Sequence, residues 1–422
     1  MTTQKKTSHE KKPAEHVHRF AHPFFTTTPP EQRKKKFSGV KRMDDYIANN
    51  LQPIPKYENK TLEMTLDDIV GADAAEQIKK ANRMSFHIAG DTGDPSHNMQ
   101  QPIADIMSMD YDISNHVDSP AFFLHVGDVI YYDNTVEGYH QQFYEPYKKY
   151  PGKIIAIPGN HDGEMFKYNE KNQPSTGQKF SLAAFIDNFC RPDAEVPPAA
   201  ATIYRQMVAQ PGVYWWLQTP LADIVGLYSN VAEGPGYIVT KDDDSQKKWL
   251  QNTLTKIAGQ RKPNDNSHRA LIIAVHHPPF SAAGHDSSTD MLKDIDECCS
   301  SARILPDAVV SGHAHNYQHF ERKVKCNGQD ISVPYMIVGN SGHNADPVIS
   351  NKKSLNKPIP ANVQVGKNLD GYGYALATID EQQLSFEFYQ VTVDAGNKAS
   401  KQPYDSASVS LKGSNLGALV LA

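Results

Sequence analysis

At 422 residues, with 39% hydrophobic and 22% charged residues, the chain has the makings of a globular protein with a large core. No run approaches the roughly 18 apolar residues that cross a bilayer, and Met1-Thr2-Thr3-Gln4-Lys5-Lys6 is not an apolar leader, so the expectation is a cytoplasmic protein by default. Charge is uneven: residues 1–42 carry eleven Lys and Arg against three Glu, which leaves the remainder at −13 for a total of −5. Such an arm, lacking interleaved aromatics or periodicity, reads as solvated chain rather than a nucleic-acid or membrane contact. Cys190, Cys298, Cys299 and Cys326 are too few and too scattered for a disulfide framework or a zinc ribbon, and they read as buried thiols.

In chain order, residues 1–83 read as a basic arm with short helices, one near Met43–Ala48 and one from Thr65 to Ala81 capped by Thr65. Met84–Ala89, Ala121–Val126 and Lys153–Ile157 are near-continuous apolar runs, the pattern of strands buried on both faces. The segments between them are long enough for crossover helices, so the spacing predicts a βαβαβ unit. Residues 163–211 lack a strong period and read as an insertion with a helix over Leu182–Asn188, a candidate specificity lid. Val213–Leu217 and Asp223–Tyr228 read as paired strands, and Asp244–Ile257 as an amphipathic helix with Trp249, Leu250, Leu254 and Ile257 on its core face. Ala270–Val275, Ala308–Val310, Tyr335–Val338 and the Tyr374–Ile379/Leu384–Tyr389 hairpin give further strands, and 396–422 reads as a loosely held tail. The resulting domain plan is an arm over 1–83, a catalytic unit over 84–395 and the tail.

Five polar clusters end apolar runs: Gly90-Asp91-Thr92-Gly93, Gly127-Asp128-Val129-Ile130-Tyr131, Gly159-Asn160-His161-Asp162, His276-His277-Pro278 and Gly312-His313-Ala314-His315. A single Asp at a strand end is ordinarily a turn former, and His313 and His315 alone only share a face. Five such places in one chain point to a hydrolytic site holding two metal ions, because buried polar ligands are costly unless something binds them. The donor set is carboxylate, amide oxygen, phenol and imidazole without thiolate, which suits iron, zinc or manganese. Asp128 is the candidate for a carboxylate shared between the two ions.

These clusters resemble the calcineurin-like metallophosphoesterase superfamily, and within it the purple acid phosphatases, over about residues 84–395. The resemblance implies an α/β fold, a two-sheet mixed β-sandwich flanked by helices, with the site at the sheet edges. It implies Asp91, Asp128, Tyr131 and His315 around a first metal, and Asn160, His276 and His313, sharing Asp128, around a second. Many members carry a His two residues after the first Asp, where this chain has Gly93; those with Gly there have a Tyr placed as Tyr131 is. A phenolate favours Fe(III) at the first position, with Zn, Fe(II) or Mn(II) at the second. His161 resembles a residue that bonds phosphate oxygens, and His285 one that protonates the leaving group; His277 and His319 read as supporting residues.

The implied activity is acid phosphatase action on small phosphomonoesters, by hydroxide generated from water whose pKa the ions lower. A phosphodiesterase acting on a cyclic nucleotide or phospholipid headgroup, or a protein phosphatase, shares the same ligand set. A scaffold without turnover fits the complete set poorly. Oligomeric state is not encoded in these motifs.

Overall fold

The computed structural model describes residues 61–421, less 97, 113, 116, 165, 169–173, 177, 179–180, 232–233, 241–242, 263–265 and 348–358, together with the backbone pairing of Phe24–Phe25 with Gln52–Pro53. The helix expected near Met43–Ala48 lies outside these residues. Among the described residues no helix is long and apolar enough to cross a membrane.

Two sheets pack face to face. In the first, Arg83–Ala89, Phe122–His125 and Lys153–Ala156 run parallel in that order, the expected βαβαβ unit, and Tyr372–Asp380, Gln383–Val393 and Ala399–Ser410 extend it antiparallel from Arg83–Ala89. In the second, Ala222–Gly226, Ala270–Ala274, Ala308–Ser311 and Gln329–Val338 are parallel neighbours, flanked by Trp215–Gln218 on one side and Tyr317–Cys326 on the other. Period-two alternation sorts the side chains. Phe86, Ile88, Phe122 and Leu124 point between the sheets at Trp215, Leu217, Ile272, Val310 and Met336, while Phe123 faces an outer aromatic layer with Phe143 and Tyr147. Phe86 and Phe122 stack at 4.8 Å between centroids, and each ring so buried stabilises by roughly 1.5–3 kcal/mol. Helices Ser245–Gly259 and Thr289–Ala302 cover the outer face of the second sheet through Leu250, Leu254, Ile257, Met291 and Ile295. The result is a mixed α/β sandwich flanked by helices.

Some expectations need correction. The helix from Thr65 to Ala81 is broken: Glu63–Thr65 is strand, Asp67–Val70 is one turn, and Gly71 at φ 83° reorients the chain before Ala72–Ala81. Thr65 does not cap; its amide and hydroxyl donate to Asp68 Oδ2 at 2.7 and 2.9 Å. The loosely held tail is instead strand, since Ala399–Ser410 pairs along Gln383–Val393 and Leu419–Val420 adds to Tyr317–Cys326. In the 163–211 insertion the helix is Ala183–Phe189, with Phe185 and Phe189 buried against Phe143, and Gln210 exchanges hydrogen bonds with the backbone of Ala156. Much of the described part of the insertion is therefore packed wall, and Glu164 is one of its residues that reach the cleft. All four cysteines are free and buried.

Candidate dinuclear metal centre

The strands deliver their donors to one cleft between the sheets. Asp91, Asp128 and Asn160 follow the parallel strands of the first sheet, and His276, His313 and His315 follow those of the second. Asp91, Asp128 and His313 hold left-handed backbone at φ 55°, 52° and 69°, a conformation that costs a non-glycine residue about 1 kcal/mol. Close approach demands glycine nearby: a Cβ on Gly159 would lie 2.1 Å from Asp128 Oδ1, and one on Gly312 2.4 Å from Asp91 Oδ2.

Two groups of donors result. In one, Tyr131 Oη donates to Asp91 Oδ1 at 3.1 Å, and His315 Nε2 lies 3.0 Å from Tyr131 Oη and 3.6 Å from Asp91 Oδ1. In the other, His276 Nε2 lies 3.1 Å from Asn160 Oδ1 and 3.2 Å from Asp128 Oδ2, and ligating atoms of Asp128, His276 and His313 fall within 4.8 Å of one another. The Nδ1–H of His276 donates to Val126 O at 2.9 Å and that of His315 to Asn344 O at 3.1 Å. Both rings thereby turn the Nε2 lone pair into the cleft, the usual arrangement of a metal-binding imidazole. The groups are linked, since Asp91 N donates to Gly127 O and His313 N to Asp91 Oδ2.

The donor set fits cations. Asp128 Oδ2 is a buried oxygen with no hydrogen-bond partner. Burial and, against the pull of His276, the Asp128 charge push Asp91 well above the carboxylate range. Burial acts the same way on Asp128, but His276 and His161 outweigh it and hold that carboxyl low. Two such carboxyls side by side retain one proton between them unless positive charge enters the cleft.

The structure also places the two outer histidines. The His161 ring lies 4.4 Å from that of Tyr131, with Nδ1 3.2 Å from Glu164 Oε1; burial is outweighed by Glu164 and Asp128, which raise its pKa to about 9. His285 is exposed and lies 3.9 Å from the ring of His313; partial burial lowers its pKa against the pull of Asp346. His277 supports His313 at 4.2 Å and is tied through Nδ1 to Ser229 Oγ. His319 faces away, paired with Asp405 and Glu321.

Several residues of the cleft received no role from the sequence. His343 lies flat on Tyr131 and bonds Gly93 O through Nδ1 at 3.0 Å. Gly93 itself admits no side chain, because a Cβ there would lie 2.5 Å from Ile130 Cα. Asp162 braces two ligand loops by accepting from Val129 N and Gly159 N. Gln142 grips Tyr131 at both backbone groups, accepting from its N–H at 2.9 Å and donating to its carbonyl at 3.0 Å. His125 links the Asp91 and Asp128 loops through Thr92 Oγ1 and Gly127 N, and burial keeps it neutral, with a pKa lowered to about 3. The signal for His343 was present: Gly339-Asn340-Ser341-Gly342-His343 follows the apolar run Tyr335–Val338, as the other clusters follow theirs.

A two-sheet sandwich with carboxylates, histidines, an asparagine and a tyrosine at its parallel strand ends defines a metal-dependent phosphoesterase architecture. The model of the calcineurin-like phosphoesterase family matches residues 84–317, and the chain belongs to that family. The family implies a dinuclear metal centre and a phosphoesterase. Purple acid phosphatase 22 of Arabidopsis thaliana is 20% identical over 278 residues, 64% of this chain; the chain spans about half of that relative, 53%. Among solved structures, PhoD is similar at 14% identity and TM-score 0.46, over 78% of this chain and 70% of that one. GAP50, described as the anchor in the inner membrane complex of Plasmodium, aligns at 9% identity and TM-score 0.45, over 79% of this chain and 90% of its own.

Proposed function

We propose that the chain is a purple-acid-phosphatase-like hydrolase of small phosphomonoesters. The observation that carries this reading is the pair of adjoining donor groups, Asp91/Tyr131/His315 and Asp128/Asn160/His276/His313, with Asp128 Oδ2 buried, accepting no hydrogen bond, and 3.2 Å from His276 Nε2. In this reading Asp91, Tyr131 and His315 would hold Fe(III), since a hard phenol oxygen favours it; Asn160, His276 and His313 would hold Zn, Fe(II) or Mn(II), with Asp128 available to both. Bound cations would supply Lewis acidity and bring the pKa of water toward about 7.

The chain's own groups do the rest. His161, oriented by the contact of its Nδ1 with Glu164, stands where it can donate a hydrogen bond to an equatorial phosphoryl oxygen. His285 stands at the open side of His313, where a proton can pass to the departing alcohol oxygen as its bond to phosphorus breaks. The buried Tyr131 and Asp91 lie deep in the cleft, so substrate enters from the side of His161 and His285. A small phosphoester, rather than nucleic acid or a membrane, is the proposed partner.

Hydrolysis of p-nitrophenyl phosphate and of its bis-ester by the metal-loaded protein tests this directly. Faster turnover of the monoester supports it. Faster turnover of the bis-ester selects the phosphodiesterase alternative, and no turnover of either ends both.

A further inference from the structure

Tyr132 is a large aromatic exposed at the mouth of this cleft, at 42% of its surface, while Tyr131 beside it is wholly buried. Its backbone is left-handed, at φ 62°. Tyrosine gains no local hydrogen bond from that conformation, so its neighbours must impose it. They do so visibly: Gln142 fixes both backbone groups of Tyr131, and on the other side the Asn134 side chain donates to His161 O at 2.8 Å. The Tyr132 ring is therefore presented rather than loosely displayed. It stands edge-on to His161, centroids 5.4 Å apart, and edge-on to His343 at 6.0 Å.

The mechanism has no task for this ring. We propose that Tyr132 is the platform against which the leaving group lies, and that the site therefore prefers aryl phosphates, esters whose departing oxygen is attached to a flat ring. The inference rests on the phosphoesterase reading. A phosphoryl group beside His161 puts its ester substituent within one ring's reach of Tyr132, and the rim offers no comparable aromatic face among the described residues that touch His161, since Tyr131 is buried beneath His343. Stacking of this kind contributes enough to separate ligands by about 5- to 100-fold in affinity.

Binding of methylphosphonate and phenylphosphonate to the metal-loaded full chain, measured by calorimetry with inorganic phosphate as reference, tests it without turnover. The unaltered protein is expected to favour phenylphosphonate by about 5-fold or more. Tyr132→Ala and Tyr132→Leu are expected to bring that ratio close to one, and Tyr132→Phe to keep it; the leucine variant separates a flat face from mere apolar area. An unchanged ratio in Tyr132→Ala overturns the platform. If inorganic phosphate binds but the two phosphonates do not differ, only the aryl preference falls. If phosphate does not bind and no ester turns over, the phosphoesterase reading falls and takes this inference with it.

Discussion

The imidazole of His343 lies flat on the phenol of Tyr131, with centroids 3.6 Å apart and planes 10° from parallel. Tyr131 is thus held from its face by His343, from its backbone by Gln142, and at its hydroxyl by Asp91 and His315. Aromatic ring pairs contribute about 0.5–1.5 kcal/mol. His343→Ala is expected to lower kcat/KM on p-nitrophenyl phosphate by about 3- to 10-fold, and His343→Phe to recover most of it. Steady-state kinetics on both variants checks this, and equal losses would show that the stack is not what matters.

Removing a donor from the second group should be far more severe. Asn160→Ala and His313→Ala are each expected to reduce kcat by about 100-fold or more and to lower bound metal, with the fold retained. Metal content by mass spectrometry, turnover, and far-UV circular dichroism on the same samples decide it. Undiminished turnover in both variants would end the catalytic proposal at this cleft.

His285 gives a prediction with a sign. Its pKa is lowered by partial burial, and a proton donor acts only while protonated, so its contribution is full below that lowered pKa and fades as pH rises past it. A ferric ion at the proposed first position would be expected to sustain activity at mildly acidic pH. His285→Ala is expected to cost about 100-fold on an alkyl phosphate, whose alkoxide needs a proton, and only a few-fold on p-nitrophenyl phosphate, whose phenolate does not. A pH–rate profile peaking only well above neutrality would contradict the ferric assignment.

A pair remote from the cleft governs stability against pH. His319, on one sheet, meets Asp405, on the other, at 2.9 Å, and Tyr317 Oη donates to the same carboxylate at 2.9 Å. Burial works against the charged imidazole, but Asp405 and Glu321 raise its pKa from 6.5 to about 9. Burial likewise opposes the Asp405 carboxylate, and His319 and Tyr317 outweigh it and lower its pKa below 3.8. The His319 contribution is therefore complete below pH 6.5 and lost as pH rises through about 9, while the Asp405 contribution is complete above pH 3.8 and lost as pH falls through its lowered pKa. Asp405→Asn is expected to cost about 1–2 kcal/mol at pH 6, after allowance for water access, and clearly less at pH 9.5. Urea unfolding at the two pH values measures the difference.

The parallel strands could be read from the sequence because burial on both faces leaves an unbroken apolar run, and the ligand-bearing runs stop abruptly at Gly-Asp, Pro-Gly-Asn, His-His or Gly-His. Tyr317–Cys326 was opaque for the opposite reason. Its exposed face carries Lys323 and Lys325, and inward-pointing Arg322 finds Asp296 rather than water, so ten residues of strand look polar. Thr289–Ala302 buries Met291, Leu292, Ile295, Cys298 and Cys299 at helical spacing, but Asp290, Asp294, Asp296 and Glu297 are interspersed among them, and the helix is absent from the expected elements. Ala399–Ser410 is an edge strand whose only buried side chain is Ala407, so polar residues, Ser above all, make up most of it and a tail is the natural expectation. In the cleft, residues in short motifs were legible and their braces were not. Gln142 and His125 matter through backbone groups they satisfy, which only the folded geometry reveals.

Gly90 N donates its hydrogen bond not within its own sheet but to Val338 O, 2.9 Å away on the opposite one. One leaf of the sandwich is thus latched to the other directly under Asp91, and the aperture of the cleft is inherited from how the leaves seat. Hollowing out the dry interior at Met336, a side chain remote from any reactant, would slacken that latch, so turnover and melting temperature would fall together.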